Sequence, residues 1–390
     1  MRGSTVSALS SGVQDGCSFS CKFCVIPLVR GRSRSRGADA VLREVVKRVE
    51  QGHREVVLTG INLGCFRDRE RGYTLARLVR EAGATPGLQR LRLSSIEVNH
   101  VSEELVRALR ETPTVSRHLH VPLQSGDDRV LSAMGRRYTA ATYLRRLEPL
   151  ADFNLTADVI VGFPTEDEQA FEQTRRVLAA AGVTKVHVFP YSPRPGTATA
   201  AEDPVPAAVK KRRGAQLRAD SHEACLERWR SKLGATDEVL VDRPGRGYGD
   251  DYSPWLVGGS APVGELVPVR AVDVTEEGSS VPSDCLFCKL YAEGDHVRKA
   301  DGFVAIADIN PRAETHLLVI PERHVETFRD IGEFPADEAQ RMLEFVADTA
   351  RRGRARGLSR GRQRRARWAD RRSSTCTGTC SAGEMMGIPG

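Results

Sequence analysis

Between Ala40 and Tyr191 the chain alternates short apolar runs with longer stretches whose apolar residues recur at helical spacing, and that alternation limits its possible folds more than any other feature. VVLTGI (56–61), LRLSSI (91–96), HLHVPL (118–123), ADVIVGF (157–163) and VHVFPY (186–191) read as buried strands. Between them AVLREVVKRVEQG, EELVRALRE and AFEQTRRVLAAAG carry one apolar face and end near glycine or polar residues, as helices do. Strand and helix in turn predict an α/β fold around a parallel sheet, closed or partly closed as a barrel. Ligands of such barrels bind at the carboxyl ends of the strands. Here those ends carry Thr59, Gly60, Ser94, Ser95, Gln124, Gly162 and Phe163.

The sharpest local feature is QDGCSFSCKFC, which spaces Cys17, Cys21 and Cys24 as C-x3-C-x2-C. Structural zinc takes four protein ligands, and an iron–sulfur cluster held by four thiolates has no open position. Three thiolates on one tight loop leave one iron free to take a small molecule and pass it an electron. Two other readings share the spacing: a zinc loop completed by a ligand from elsewhere, or three unrelated buried thiols. The closeness of the three, with Gly16, Phe19 and Phe23 among them, favours the open cluster. No apolar run approaches the roughly 18 residues of a spanning helix. The opening MRGSTVSALSSG lacks the apolar stretch of a secretory signal. The expected compartment is therefore a reducing cytoplasm, where clustered cysteines bind metal rather than pair. At 390 residues and 40% hydrophobic content, two or three domains are expected.

CKFCVIPLVRGRSRSR, VVLTGINLG, LRLSSIEVNH, HLHVPLQSGDDRVLSAMGRRYT, ADVIVGFPTEDEQAFEQT and VFPYSPRPGTAT occur in this order. Over about residues 5–280 the set closely resembles the tRNA methylthiotransferases of the radical S-adenosylmethionine superfamily, nearest the branch that acts on N6-threonylcarbamoyladenosine beside the anticodon. The resemblance implies a partial (β/α) barrel over 1–222 and a [4Fe-4S] cluster on Cys17, Cys21 and Cys24, whose free iron chelates S-adenosyl-L-methionine. Reductive cleavage then yields a 5′-deoxyadenosyl radical, while the protein supplies position and dryness. It also implies a methylthio group added at C2 of the modified adenine at position 37 of tRNA. The anticodon stem-loop and an electron donor such as a flavodoxin-type reductant would be the partners, with no membrane. By the same resemblance Thr59, Gly60, Ser94, Ser95, Gln124, Gly162 and Phe163 line the S-adenosylmethionine pocket, with Phe23 beside the adenine. Gly60 and Gly162 also suit ordinary strand-end turns.

His118 and His120 alternate to one face of their strand, as metal ligands or as polar positions lining a barrel mouth. Arg30, Arg32 and Arg34, in RGRSRSR, suit RNA phosphates or a solvated basic loop. Cys65 and Cys225 fall in no cluster spacing and read as core thiols. Family members carry a preceding domain with three further cysteines for a second cluster. Only a short segment precedes Cys17 in this sequence, which leaves sulfur insertion unaccounted for.

EDPVPAAVKKRRGAQLR marks a proline-rich break followed by a helix, and residues 228–281 then show short β-rich runs separated by Gly and Pro. The pattern is that of a small β-barrel, which the resemblance identifies as a TRAM domain. Tyr248, Tyr252 and Trp255 either stack on unpaired RNA bases or fill the barrel core. Residues 284–350, DCLFCKLYAEGDHVRKADGFVAIADINPRAETHLLVIPERHVETF and onward, resemble the N-terminal part of the histidine-triad (HIT) nucleotide-binding proteins, which are α+β domains. That resemblance implies zinc on Cys285, Cys288 and His324, and a nucleotide beside Asp308 and Asn310.

The H-x-H-x-H triad itself is absent. Residues 351–372 hold eleven arginines against Asp370, more than the whole net charge of +7, so the rest of the chain is slightly acidic and the basicity is no evidence for nucleic acid. Such a segment is expected to be disordered. Back-translating Ser374 to Gly390 with G/C-rich third positions, and reading from each third base, gives HLHRHLLGGRDDGHPR, which restores a triad. Residues 351–390 are therefore expected to be a disordered or frameshifted tail. Besides the transferase, a histidine-triad nucleotide hydrolase or transferase and a non-catalytic RNA-binding remnant remain as functional classes.

Overall fold

The computed structural model describes residues 8–257, 261–280, 290–291, 294–308, 316–321, 336–355 and 378–381. It divides into two units, Met1–Val281 and Pro282–Gly390. In the first, strand β1 (Ala8–Asp15) leads into the cysteine loop, and helix α1 (Ile26–Arg30) and the short strand β2 (Arg34–Ser35) bring the chain back. Helix α2 (Ala38–Glu50) and strand β3 (Glu55–Gly60) follow. A small ribbon of β4 (Arg67–Asp68) and β5 (Tyr73–Thr74) precedes α3 (Leu75–Gly83), β6 (Arg90–Leu93) and α4 (Glu103–Glu111). Then come β7 (His118–His120), α5 (Asp128–Met134), α6 (Ala140–Leu147), β8 (Asn154–Val161), α7 (Glu168–Ala180), β9 (Val183–Pro190) and the long α8 (Ala207–Arg230).

Strands β1, β3 and β6 pair in parallel, as do β7, β8 and β9. A parallel bridge from Leu91 to Val115 joins the two sets. The result is one run of six parallel strands, the arrangement of a partial barrel; among the described residues β1 and β9 do not pair with each other.

Side chains alternate along each strand. Val56, Leu58, Leu91, Leu93, Leu119, Leu155, Ala157, Val159 and Val161 pack beneath the helices in one core with Val41, Val45, Leu78, Leu105, Tyr143 and Phe171. Each such large side chain contributes roughly 1.5–3 kcal/mol on burial. The opposite face is polar, with Glu55, Arg92, His118, His120, Thr156, Asp158 and His187. Helix starts are fixed locally: Thr74, Ser102, Asp127, Thr139 and Asp167 each accept a backbone N–H of the first turn. The first strand escapes the sequence reading, since ALSSGVQD is half polar and is held by its pairing with β3.

The rest of the first unit is a six-stranded sheet of β10 (Thr236–Arg243), β11 (Arg246–Tyr248), β12 (Pro254–Leu256), β13 (Leu266–Arg270), β14 (Asp273–Thr275) and β15 (Gly278–Ser280). Its core is Val239, Val241, Trp255, Val257 and Ala271. The turn at 249–252 rests against the amino ends of the barrel strands. Arg90 donates to the carbonyls of Tyr248 (3.0 Å) and Glu238 (2.5 Å), and Asn154 Nδ2 donates to Asp251 O at 2.8 Å. The Asp251 carboxylate pairs with Arg228 at 2.8 Å and with Lys232. The small sheet, expected over 228–281 after a proline-rich break, thus packs on the barrel within one unit.

Two of the aromatic expectations are corrected here. Trp255 is 1% exposed and fills the small core. Tyr252 has both ring faces taken, by Tyr248 (centroids 4.5 Å) and by the Arg92 guanidinium (3.8 Å). Neither ring is open to a base, and Tyr248 is half-buried.

The second unit holds an antiparallel sheet of β16 (Arg298–Ala300), β17 (Phe303–Ala307), β18 (His316–Pro321) and β19 (Gly378–Ser381), with a helix over Ala336–Ala355. Phe303, Ala305, Val319, Met342 and Phe345 make its core. The helix passes the boundary expected at 350, and Gly378–Ser381 pairs with β18, so the tail is not unstructured throughout. Cys285, Cys288, Asn310 and His324 lie outside the described residues. Asp308 is described, 3.2 Å from His316 Nδ1. No helix among the described residues is long and apolar enough to cross a membrane.

Candidate metal centre at the three-cysteine loop

Gly16 opens the loop with φ +68, where a Cβ would lie 2.3 Å from the Arg32 carbonyl oxygen. Only glycine allows the return strand to come so close. The loop is pinned by Cys17 N donating to Gly31 O (3.0 Å) and Lys22 N donating to Met134 O (2.9 Å). Helix α5 ends at Gly135 in the left-handed conformation, which brings its last turn and Arg136 against the loop.

Cys17, Cys21 and Cys24 are all half-buried and unpaired. Burial pushes the Cys24 thiol upward, and charge on Cys21 and Cys17 pushes it the same way, so the three sulfurs share one field. N–H donors are aimed at the sulfurs: Phe19 N lies 3.5 Å and Asn62 Nδ2 3.9 Å from Cys17 Sγ, and Arg136 Nη1 lies 3.5 Å from Cys21 Sγ. Among the described residues no three His, Cys, Asp or Glu side chains converge on a single ion. Three thiols on one loop with N–H donors around them are the donor set of a cluster, in which each thiolate takes its own iron. The residues fit that group.

Gln14 was not foreseen. Its Oε1 accepts Asn62 N (2.8 Å), while its Nε2 donates to Gly16 O (2.7 Å) and Ser33 Oγ (2.9 Å). It ties β1, the cysteine loop and the end of β3 into one piece. A Cβ at Gly60 would sit 2.9 Å from Gln14 Oε1, which accounts for that glycine by close approach. Arg136 was also missed; burial opposes its charge, and Tyr138, Cys21 and Glu97 more than offset this, raising its pKa. Cys65 proves less isolated than expected: its Sγ is 3.3 Å from His100 Nε2, and Cys17 adds to the burial that raises its pKa. Cys225 donates to Thr184 O at 3.5 Å, as a core thiol would.

Of the expected pocket residues, Thr59, Gly60 and Ser94 come together at the ends of β3 and β6, with Gly60 N donating to Ser94 Oγ at 3.2 Å. Ser95 follows, half-buried. Gln124 takes a left-handed φ of 66, and its backbone bonds Asp158 O and Ile160 N. Gly162 has φ +77 and donates to Glu166 Oε2 at 2.5 Å. Phe23 stands half-buried, edge-on to Phe163 at 6.3 Å. Phe163 is corrected: at 1% exposure it packs with Val130, Met134 and Tyr191 beneath Phe23 and lines no open surface.

His118 Nε2 (3.1 Å) and His120 Nδ1 (2.8 Å) share the Thr156 hydroxyl, and His120 Nε2 is 3.3 Å from Asp158. They are polar wall positions; burial lowers the His118 pKa to about 3. In the basic loop Arg34 pairs with Asp15 and Arg36 with Glu44, while Arg30 and Arg32 are exposed.

Half-buried thiols on one loop beside the first of six parallel strands define a protein of the radical S-adenosylmethionine class, and residues 12–178 match the profile of the Radical SAM superfamily. The chain belongs to the radical S-adenosylmethionine tRNA methylthiotransferases. It is 38% identical to the threonylcarbamoyladenosine tRNA methylthiotransferase MtaB of Chlamydia pneumoniae, over 68% of this chain and 65% of that one. To the MtaB of Thermotoga maritima it is 36% identical, over 72% and 67%. The tRNA-2-methylthio-N(6)-dimethylallyladenosine synthase of Erythrobacter litoralis is 37% identical over 67% and 62%. The chain thus spans about two thirds of the length of the curated relatives it matches. Residues 284–358 match a profile described as scavenger mRNA decapping enzyme C-term binding.

Proposed function

We propose that this chain is the radical-generating part of a cytoplasmic tRNA methylthiotransferase, acting at C2 of N6-threonylcarbamoyladenosine at position 37 in the anticodon stem-loop. The observation that carries the reading is the trio Cys17, Cys21 and Cys24, half-buried on one loop with N–H donors aimed at two of the sulfurs. The threonylcarbamoyl branch follows the two relatives of that name, and the dimethylallyl synthase sets the competing substrate.

Cys17, Cys21 and Cys24 would hold a [4Fe-4S] cluster, which with a flavodoxin-type donor would supply the electron for reductive cleavage of S-adenosylmethionine to a 5′-deoxyadenosyl radical. The chain's own residues position and enclose. Gln14 fixes the loop against β3. Thr59, Gly60, Ser94, Ser95, Gln124 and Gly162 would line the S-adenosylmethionine pocket, with Phe23 beside the adenine. The substrate adenine must leave its stack to reach this site. The six-stranded sheet over 236–280 reads as a TRAM domain, which with Tyr248, Arg30 and Arg32 would take the RNA. For the second unit the match over 284–358 supports a HIT-like nucleotide-binding domain, with Asp308 beside the nucleoside.

The test is anaerobic reconstitution followed by assay of 5′-deoxyadenosine from S-adenosylmethionine under strong reductant, with Cys21→Ala beside it. Cleavage that vanishes in the variant is expected, and no cleavage by the intact chain overturns the reading. Mass spectrometry of nucleosides from tRNA carrying either modification then decides the branch: methylthio on the dimethylallyl form alone overturns the threonylcarbamoyl assignment.

A further inference from the structure

Arg136 lies far from the cysteines in sequence yet reaches one of their sulfurs. Its Nη1 stands 3.5 Å from Cys21 Sγ, and its side chain is 9% exposed. The guanidinium is locked on its other sides. Nε donates to Tyr138 Oη at 3.2 Å, Nη2 is 3.7 Å from Glu97 Oε1, and Cζ stands 5.1 Å from the Tyr138 ring centroid. Tyr138 Oη in turn donates to Leu123 O at 2.7 Å, and Glu97 accepts Asn99 N at 2.9 Å. A buried, braced cation cannot swing away when the charge on its neighbour changes.

We propose that Arg136 is a positioning residue that sets the reduction potential of the cluster on Cys17, Cys21 and Cys24; this rests on the reading that those cysteines hold one. Reduction adds one negative charge to a group bonded to the Cys21 sulfur. A fixed positive charge at hydrogen-bond distance stabilises the reduced form over the oxidised form, and the effect is large where water is excluded. The N–H groups of Phe19 and Asn62 on Cys17 are neutral donors. Among the described residues Arg136 is therefore the charged donor at the sulfurs. Glu97, its ion-pair partner, is 8% exposed and opposes it. The electron in this step comes from the external reductant and stays on the cluster, so no bond forms or breaks.

The test is a redox titration, followed by electron paramagnetic resonance, of anaerobically reconstituted wild-type, Arg136→Gln, Glu97→Gln and Arg137→Gln chains, with iron content measured on each. At a fixed applied potential Arg136→Gln should lower the reduced-to-oxidised ratio at least ~tenfold, about 59 mV for one electron. Glu97→Gln should raise the ratio, which a merely structural role would not do. Arg137 is exposed, and its variant should leave the ratio within about twofold of the wild type. A wild-type potential in Arg136→Gln overturns the proposal alone, since iron on the intact chain upholds the cluster reading. No iron on the intact chain overturns both. Should Arg136→Gln fail to take iron, Glu97→Gln decides, and an unmoved potential there overturns the proposal.

Discussion

At the amino ends of the barrel strands Arg90, Ser116, Arg117 and Asn154 all donate to backbone carbonyls of the small sheet, and Asp251 sits between Arg228 and Lys232. At the cysteine loop three thiols stand half-buried and unpaired, and the Oδ1 of the buried Asn62 has no hydrogen-bond partner. Buried polar groups in folded chains are almost always satisfied. Unmet atoms occur at both ends, Asn62 Oδ1 beside the loop and His118 Nδ1, Ser253 Oγ and Trp255 Nε1 at the small sheet, so the contrast rests on the three thiols, which no disulfide uses and which stand together on one loop. The closed end reads as stability and the open end as chemistry.

The sharpest way to break that contrast is Asp251→Ala, which leaves Arg228 without its anion and Lys232 with Asp237 alone, at 3.4 Å. It should cost about 3 kcal/mol by urea denaturation and leave iron binding intact; a loss of iron with unchanged stability would reverse the roles of the two ends. The same carboxylate has its pKa lowered to about 2 from 3.8, against the opposing pull of burial, by Lys232 and Arg228. Its contribution is fully present above pH 3.8 and is lost as the pH falls through about 2.

His118 gives the next effect. Burial keeps it neutral in the folded chain down to about pH 3, whereas the unfolded chain takes a proton near 6.5. Stability should therefore fall as the pH drops between those values, by about 1.4 kcal/mol for each pH unit. His118→Gln should flatten that slope in urea midpoints, and an unchanged slope would mean the imidazole is not buried.

Gly16→Ala, at φ +68 and against the Arg32 carbonyl, should cost about 1 kcal/mol and displace the loop. Iron uptake should then drop, and full uptake would show that the loop tolerates the side chain. Smallest in stability is Cys24→Ala, expected within about 0.5 kcal/mol of the parent while iron binding collapses. A large loss of stability there would make Cys24 a core residue instead.

The cysteine trio was legible because spacing on a single loop is a local property. So were β3, β6, β7, β8 and β9, as short apolar runs, and helices α2, α4 and α7 between them, as stretches with one apolar face. What the sequence could not show depends on neighbours distant in the chain. Nothing in Gly135-Arg136-Arg137 tells the two arginines apart, and only packing sends Arg136 to Cys21 while Arg137 stays outside. Tyr252 and Trp255 look alike as aromatics in a β-rich segment, yet one is clasped by Arg92 and the other fills a core. Cys65 gave no pattern because its partner, His100, belongs to another turn.

The turn at 249–252 has a further consequence for how such chains can be recombined. Carbonyls of residues 248–251 are received by Arg90 of β6, by Asn154 of β8 and by Ser116 just ahead of β7. A small sheet transplanted from a relative would arrive without its sockets unless those three positions travelled with it. Inheritance here is tied across the apparent border, and the two parts should drift, or be exchanged, only together.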